Sequence, residues 1–385
     1  MRSSIGWRTA GLAAAAGLQA ASFLVLAREL GAAGFGVFGT LFSLGSLMSV
    51  VVGFGLAARA LRARAEPDAA ALTSTMMAVR LLTTAGLVGA MAATVAATGI
   101  APGAAVAALA FTAHETVSEL TQAVLAGRGA IRLATGLLVA QRAAVLLSIV
   151  GGGALHVRDG AVAGVVALSI AVASALTITT RPRTGAIARL IATSRAYWAS
   201  GLASAISRLE VPAITLVGGS TVAGMYAASE RAVGPVTLLG QAVLQVSTPE
   251  LAAADPRTRR AMFVRTRRLT SRVMLAAVVV AVPAGLAGAA LLGPGFAPAW
   301  AGIAGFVAGA GVMSANQAHQ ALLLSVGEAR TAARCVATGA VCGVVAAAGL
   351  AAVGGLPMLG LTPVLAQGVM HVLLRRAVGP IIAAG

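Results

Sequence analysis

The sequence predicts an all-α polytopic membrane protein, with twelve transmembrane helices arranged as two pseudo-symmetric six-helix bundles. Three observations predict it. Of the 385 residues, 58% are hydrophobic and 10% charged, and the mean hydropathy is +0.92; a water-soluble domain carries about 25% charged residues. The apolar residues fall into twelve runs near the length of about 20 residues that a helix needs to cross hydrocarbon. The arginines gather in alternate connections between those runs, the asymmetry that fixes topology.

In chain order the runs are 9–27, 35–57, 71–98, 104–126, 133–154, 161–180, 198–218, 222–248, 272–292, 302–326, 335–353 and 358–374. The first, behind Arg2 and Arg8, has the outline of a signal peptide, but further spans follow it and it is read as a retained helix. Aromatic residues make up only 4%, whereas glycine occurs 47 times. Small residues suit membrane helices, because close backbone packing replaces the hydrophobic effect inside lipid. The two longest connections, 181–197 and 249–271, are rich in arginine.

The formal net charge is +17, and with no lysine in the chain all 28 basic residues are arginine. A basic chain invites a nucleic-acid reading. Here the arginines sit in short loops between apolar runs, so no nucleic-acid partner is expected. With the N-terminus in the cytoplasm, the loop arginines face inward, Arg62 and Arg64 among them; only Arg28 and Arg158 face outward. Both termini are then cytoplasmic. The outer connections are short and rich in Gly and Pro (98–103, 293–299, 354–357).

Enzyme chemistry finds no footing. Cys335 and Cys342 lie in one apolar run, roughly 10 Å apart along a helix and too far for a disulfide. His114, His156, His319 and His371 are scattered without metal-ligand spacing. A phosphate-cradling Gly-Lys-Thr/Ser loop is impossible without lysine. No cofactor is expected, and any drive must come from a proton or sodium gradient or the membrane potential. His319 with Asn316, Gln317 and Gln320 forms a polar cluster, read either as a substrate contact or as helix–helix hydrogen bonding.

The chain also repeats. The segment 30–38 (Leu-Gly-Ala-Ala-Gly-Phe-Gly-Val-Phe) leads into the second run and 218–226 (Gly-Gly-Ser-Thr-Val-Ala-Gly-Met-Tyr) into the eighth. Gly127-Arg128-Gly129 follows the fourth run and Gly327-Glu328-Ala329 the tenth. Features recurring six spans apart keep the same orientation, so a parallel repeat is expected. Its halves are a six-helix bundle over 1–190 and another over 191–385.

These residues resemble a known family. Leu26-Ala27-Arg28-Glu29-Leu30-Gly31 followed by Gly34-Phe35-Gly36-Val37-Phe38 resembles the first outer loop of polysaccharide flippases. These belong to the multidrug/oligosaccharidyl-lipid/polysaccharide exporter (MOP) superfamily. Gly53-Phe54-Gly55-Leu56-Ala57 with Arg59 is similar to the end of their second helix. Val222-Ala223-Gly224-Met225-Tyr226-Ala227-Ala228-Ser229-Glu230-Arg231 is similar to their eighth, and Pro249-Glu250-Leu251 to its cytoplasmic exit. The resemblance implies a V-shaped, MATE-like fold in a bacterial cytoplasmic membrane. It implies translocation of a lipid-linked oligosaccharide to the outer leaflet by alternating access, with polysaccharide polymerase and glycosyltransferase partners beside the membrane lipids. The chain departs from the family in being short, in lacking lysine, and in carrying Glu210 where an aspartate is common. An ion-coupled multidrug or small-molecule antiporter of the same fold is the alternative. A membrane enzyme of glycan assembly is disfavoured, because every outer connection is short.

Charges inside the membrane are costly and point to function by default. The acids are Glu115, Glu119, Glu210 and Glu230; the bases are Arg80, Arg142, Arg208 and Arg231. Thr112, Glu115, Glu119 and Gln122 share one helical face. Either that face lines a cavity and binds a proton or sodium ion, or its acids pair with Arg80 and Arg142. Cross-helix pairs Glu210–Arg231 and Arg208–Glu230 are available near the outer side, as substrate-binding or gating groups. Proline follows each arginine by four residues (Pro212, Pro235) and frees its carbonyl, so a kink is expected there. Arg28, at the outer end of the first run, is a candidate for binding an anionic phosphate, unless it pairs with the adjacent Glu29.

Overall fold

The computed structural model describes residues 2–61, 68–100, 102–155, 157–183, 185 and 187–384. Arg62, Arg64 and His156 lie outside the described residues, as do the side chains of Pro235, Pro249 and Glu250. All regular structure among the described residues is helical, and each of the twelve apolar runs falls on it: α1 (Arg2–Val51), α2 (Leu56–Ala60), α3 (Ala69–Thr98), α4 (Pro102–Gly127), α5 (Ile131–Ala154), α6 (Arg158–Thr177), α7 (Ile187–Ala205), α8 (Glu210–Ala253), α9 (Pro256–Leu292), α10 (Trp300–Ser325), α11 (Ala329–Val353), α12 (Gly355–Leu359) and α13 (Leu361–Ala384). Among the described residues nine segments are long and apolar enough to cross a membrane. The chain is a multi-pass membrane protein. A helix is the form its backbone must take there, since lipid offers no partner for a free N–H or C=O. Side-chain hydroxyls obey the same rule: Thr73, Ser74 and Thr75 each donate to the carbonyl four residues back, at 2.8–2.9 Å.

Two units divide the chain. The first comprises Met1–Leu30 and Val37–Arg208; the second comprises Gly31–Gly36 and Leu209–Gly385. The division falls at Arg208/Leu209 rather than at 190/191, because α7 packs with the first unit. Trp198 donates its indole N–H to the carbonyl of Val50 at 3.1 Å, and Arg59 bonds the carbonyl of Leu190 at 3.1 Å.

The first unit is organised around α4, which packs against α2, α3, α5 and α6. Beside it Phe23, Phe38, Phe42 and Phe111 form an aromatic cluster with ring centroids 5.2–6.1 Å apart. The second unit is organised around α10, which packs against α8, α9 and α13. Leu251, Phe263, Leu322, Cys335 and Leu374 fill its core at one end.

The repeat is visible in the backbone. α1 breaks at Gly31 (φ 66°, ψ 175°) and α8 at Gly219 (φ 80°, ψ 171°), a region that favours glycine. Within the second unit the segment Gly31–Gly36 crosses α8 reciprocally. A Cβ on Gly36 would overlap the carbonyl of Ser220, and one on Gly224 the carbonyl of Ala32. Likewise α4 and α10 end in the same cap. Gly129 (φ 83°) and Gly327 (φ 86°) are left-handed, and Ala130 N–H bonds the carbonyl of Leu125 as Glu328 N–H bonds that of Leu323. This is the Schellman pattern. It aligns Gly129, not Gly127, with Gly327.

Two expectations fail. The seventh run does not form one helix over 198–218: α7 ends at Ala205, a 3-10 turn covers Ile206–Leu209, and α8 begins at Glu210. Pro212 then sits in the first turn of α8, where its missing N–H costs nothing. The expected kink is a full break. Nor are the arginine-rich segments 181–197 and 249–271 extended loops. α7 starts at Ile187, and α9 starts at Pro256 behind Asp255, whose carboxylate accepts from the N–H groups of Arg257 and Thr258 at 3.0 and 3.1 Å. Hydropathy stops at arginine; a helix does not.

Candidate functional site

In the first unit the polar face of α4 meets arginines from two neighbouring helices. Arg142 on α5 donates both terminal nitrogens to Glu115, at 2.5 and 2.8 Å, the bidentate geometry that makes such pairs strong. Gln19 of α1 donates to the same carboxylate at 2.7 Å. Arg80 on α3 is 3% exposed and is satisfied from three sides. Its Nε donates to the Thr116 carbonyl (2.8 Å), Nη1 to the Ser49 carbonyl (2.9 Å), and Nη2 to Ser49 Oγ (3.0 Å) and Glu119 Oε2 (3.1 Å). Further along, Arg8 donates to Gln122 Oε1 and Thr135 Oγ1 at 3.0 and 3.2 Å. A charge in a low-dielectric interior needs a counter-charge and hydrogen bonds to be tolerated; Arg80 and Arg142 have both, and Arg8 has neutral acceptors. Of the two readings of the stripe, ion pairing is the one present. The pairs differ in access: the Glu119 side chain is 59% exposed and that of Glu115 28%.

The second unit treats its acids differently. Glu210 opens α8 directly after the 3-10 turn, and the Tyr226 hydroxyl donates to its Oε2 at 2.5 Å. The bend at Gly219 brings Tyr226 back onto Glu210. Tyr226 is 1% exposed and packs on Phe306 with ring centroids 5.0 Å apart. A Cβ on Gly343 would stand 2.6 Å from Glu210 Oε1, so α11 leaves room for the carboxylate only as glycine. The expected Glu210–Arg231 pair is therefore replaced by a tyrosine contact, since the bend puts a hydroxyl where the sequence offered a guanidinium. Glu230 is exposed, and Arg231 is half-buried on the same helix. Arg208, in the 3-10 turn, is exposed with no side-chain partner among the described residues.

Near the start of α6 Glu29 passes over Arg28. Arg158 bonds Glu29 Oε2 at 2.7 Å and Asp159 Oδ1 at 3.1 Å, beside a cavity of about 690 Å³ lined by Glu29, Gly153, Val157, Arg158, Asp159 and Gly160. Arg28 is left exposed, without a side-chain partner among the described residues. In the polar cluster of α10, Asn316 bonds across to α13, while His319 bonds the Ala315 carbonyl of its own helix at 2.9 Å and Gln317 Oε1 is buried without a partner among the described residues. Asn316 donates to the Gln367 carbonyl and side chain at 2.9 and 3.0 Å, and its oxygen faces His371 Nδ1 at 2.8 Å. Among the described residues no group of His, Cys, Asp and Glu could hold a metal ion.

Arg8, Gln19 and Tyr226 were not singled out by the sequence. Arg8 and Gln19 sit inside or beside the first apolar run, where a single polar residue reads as tolerated surface. Tyr226 gave no signal beyond its place in the repeat.

No family model matches the chain, and no curated protein matches it. Solved structures do. A MATE multidrug transporter, DinF-BH, determined in complex with R6G, superposes with a TM-score of 0.70 at 12% identity, covering 98% of this chain and 94% of that one. A MOP superfamily transporter from Pyrococcus furiosus, whose reversed binding-pocket polarity is described as suggesting a different function, gives 0.68 at 13% identity over 99% and 96%. An outward-facing multidrug resistance MATE family transporter gives 0.67 at 13% identity over the same shares. The chain has the fold of MATE transporters of the MOP superfamily.

Proposed function

We propose that the protein is a secondary transporter that carries a lipid-linked anionic sugar from the cytoplasmic to the outer leaflet of a bacterial membrane by alternating access. One observation carries the reading: the seventh apolar run is broken at Ile206–Leu209, with an exposed Arg208 in the break that has no side-chain partner among the described residues, and Glu210 beginning the next helix. Discontinuous helices of this kind are where secondary transporters bind ionic groups. A free guanidinium suits a phosphate, since its planar fork donates two hydrogen bonds at once. Arg28 is a second exposed guanidinium of the same kind. Neutralisation of Glu115 by Arg142 removes one acid that would repel such a cargo.

The antiporter reading draws on a separate observation. Glu210 has a tyrosine rather than an arginine as its partner, and Glu230 is exposed. These acids, with Glu119, would suit a proton, sodium ion or cationic cargo, and similar folds include multidrug transporters. Proteoliposomes separate the two. A lipid-linked sugar diphosphate should be translocated by the wild type and not by an Arg208→Ala variant that inserts normally. Equal translocation by both would overturn the role of Arg208, and gradient-driven extrusion of a cationic dye with no movement of the lipid would overturn the anionic-cargo reading in favour of the antiporter.

A further inference from the structure

We infer that the exposed stripe of α9 from Arg265 to Arg272 binds the headgroups of anionic phospholipids in the leaflet that faces the cytoplasm. The argument starts from length. α9 has 37 residues, about 55 Å of helix, whereas hydrocarbon needs about 20 residues. Its C-terminal part exposes Leu275, Val279 and Leu286 at 64%, 69% and 55%. In a membrane helix an exposed apolar stripe faces lipid tails. Continued toward the N-terminus at helical spacing, the same stripe becomes Arg272, Leu269, Arg268 and Arg265, all exposed. Arg272 and Arg268 lie roughly 5 and 10 Å along the axis from Leu275, while the headgroup layer is roughly 5–8 Å deep on each side. Arginine's long stem lets the charge reach back to that layer.

The opposite face of this segment is committed to the protein. Phe263 and Thr270 are buried, and Arg259 bonds the carbonyls of Leu251 and Ala254 at 2.8 Å. The stripe therefore has a fixed direction, outward. Two other helices of the second unit end their lipid-facing stripes in the same way: Val345, Val341 and Arg334 on α11, and Leu365, Val372 and Arg376 on α13, all exposed. Among the described side chains near this end the carboxylates are engaged: Asp255 caps α9, and Glu328 accepts from Thr331 at 2.8 Å. A row of guanidiniums running on from lipid-facing leucine and valine fits a bilayer's own phosphates. A soluble anion would not need the apolar half of the stripe. Leu269, 58% exposed among the arginines, is the apolar foot of the site.

The test does not involve transport. Purified protein in a neutral detergent is titrated with phosphatidylglycerol or with phosphatidylcholine, and bound lipid is counted by native mass spectrometry alongside the thermal midpoint. The wild type should prefer phosphatidylglycerol, and rising salt should weaken that preference. Replacing Arg265, Arg268 and Arg272 by glutamine should weaken phosphatidylglycerol binding roughly a hundredfold, about fivefold per arginine. Glutamine at Arg257, Arg260 and Arg267, with the same change in charge on the same helix, should leave it largely intact. If the triple variant folds poorly, R268Q alone carries the test with a loss of about fivefold. Equal losses in both triple variants, no loss in either, or protection by inorganic phosphate as strong as by phosphatidylglycerol would overturn the proposal.

Discussion

The two units handle the acids of their apolar runs in opposite ways. In the first, Glu115 and Glu119 each face an arginine, and the guanidinium of Arg80 is fully engaged by backbone carbonyls, a hydroxyl and a carboxylate. In the second, Glu210 faces a tyrosine hydroxyl, Glu230 is exposed, and no ion pair of an acid with Arg208 is formed among the described residues. Yet the two share their backbone devices: the left-handed break before the second and eighth runs, and the Schellman cap that ends α4 and α10. A repeated scaffold has kept its turns and diverged in its charges. Paired ions hold a structure together; an acid without a counter-charge is available to a ligand. On the proposed function, the ion pairs of the first unit serve as its brace, and the break at Ile206–Leu209 with Glu210 beyond it is the working part.

The largest effect should come from splitting the brace. Arg142→Met leaves Glu115 charged and largely buried, and should cost about 3–5 kcal/mol, read as a lowered midpoint of thermal unfolding in detergent. Adding Glu115→Gln should recover most of that loss; failure to recover would mean that Arg142 acts through packing. Next is the glycine crossing. Gly36→Val or Gly224→Val drives a side chain into a backbone carbonyl, and the resulting shift should cost about 1–3 kcal/mol. Tyr226→Phe removes the donor to Glu210 and should cost about 1–2 kcal/mol. A larger effect on ion-dependent flux than on stability would sharpen the division between the units. The smallest effect is at the start of α9. Hydrogen bonds from Thr258, side chain first and then backbone N–H, and from the Arg257 N–H hold the Asp255 carboxyl below its ordinary value of 3.8. The native state thus binds this proton more weakly than the unfolded chain. The cap's contribution is fully present above about pH 3.8 and is lost as pH falls through the depressed value. Asp255→Ala should abolish that acid-side dependence.

Much of the scaffold was legible because its signal is additive. Each apolar run is long, and the arginine asymmetry is summed over the whole chain. The pairing of Glu115 and Glu119 with Arg80 and Arg142 could be foreseen as one of two outcomes, because 3.6-residue periodicity places both acids on one face. What could not be read depended on single bends. Tyr226 reaches Glu210 only because α8 turns at Gly219. The break at Ile206–Leu209 was foreshadowed by Pro212, but whether a helix kinks or stops depends on packing that hydropathy does not contain. The helical starts at Ile187 and Pro256 were hidden by arginine, although Asp255-Pro256 is a recognisable cap and first-turn pair.

Stability and flux measured in parallel test the division of labour between the units most directly. The charge-neutral double variant Glu115→Gln/Arg142→Met should keep proteoliposome flux within about threefold of wild type, the factor by which about 0.6 kcal/mol of barrier changes a rate. Glu210→Gln should keep its unfolding midpoint and lose ion-dependent flux. If flux instead collapses in the double variant while Glu210→Gln transports normally, the working site lies in the first unit and the account is wrong.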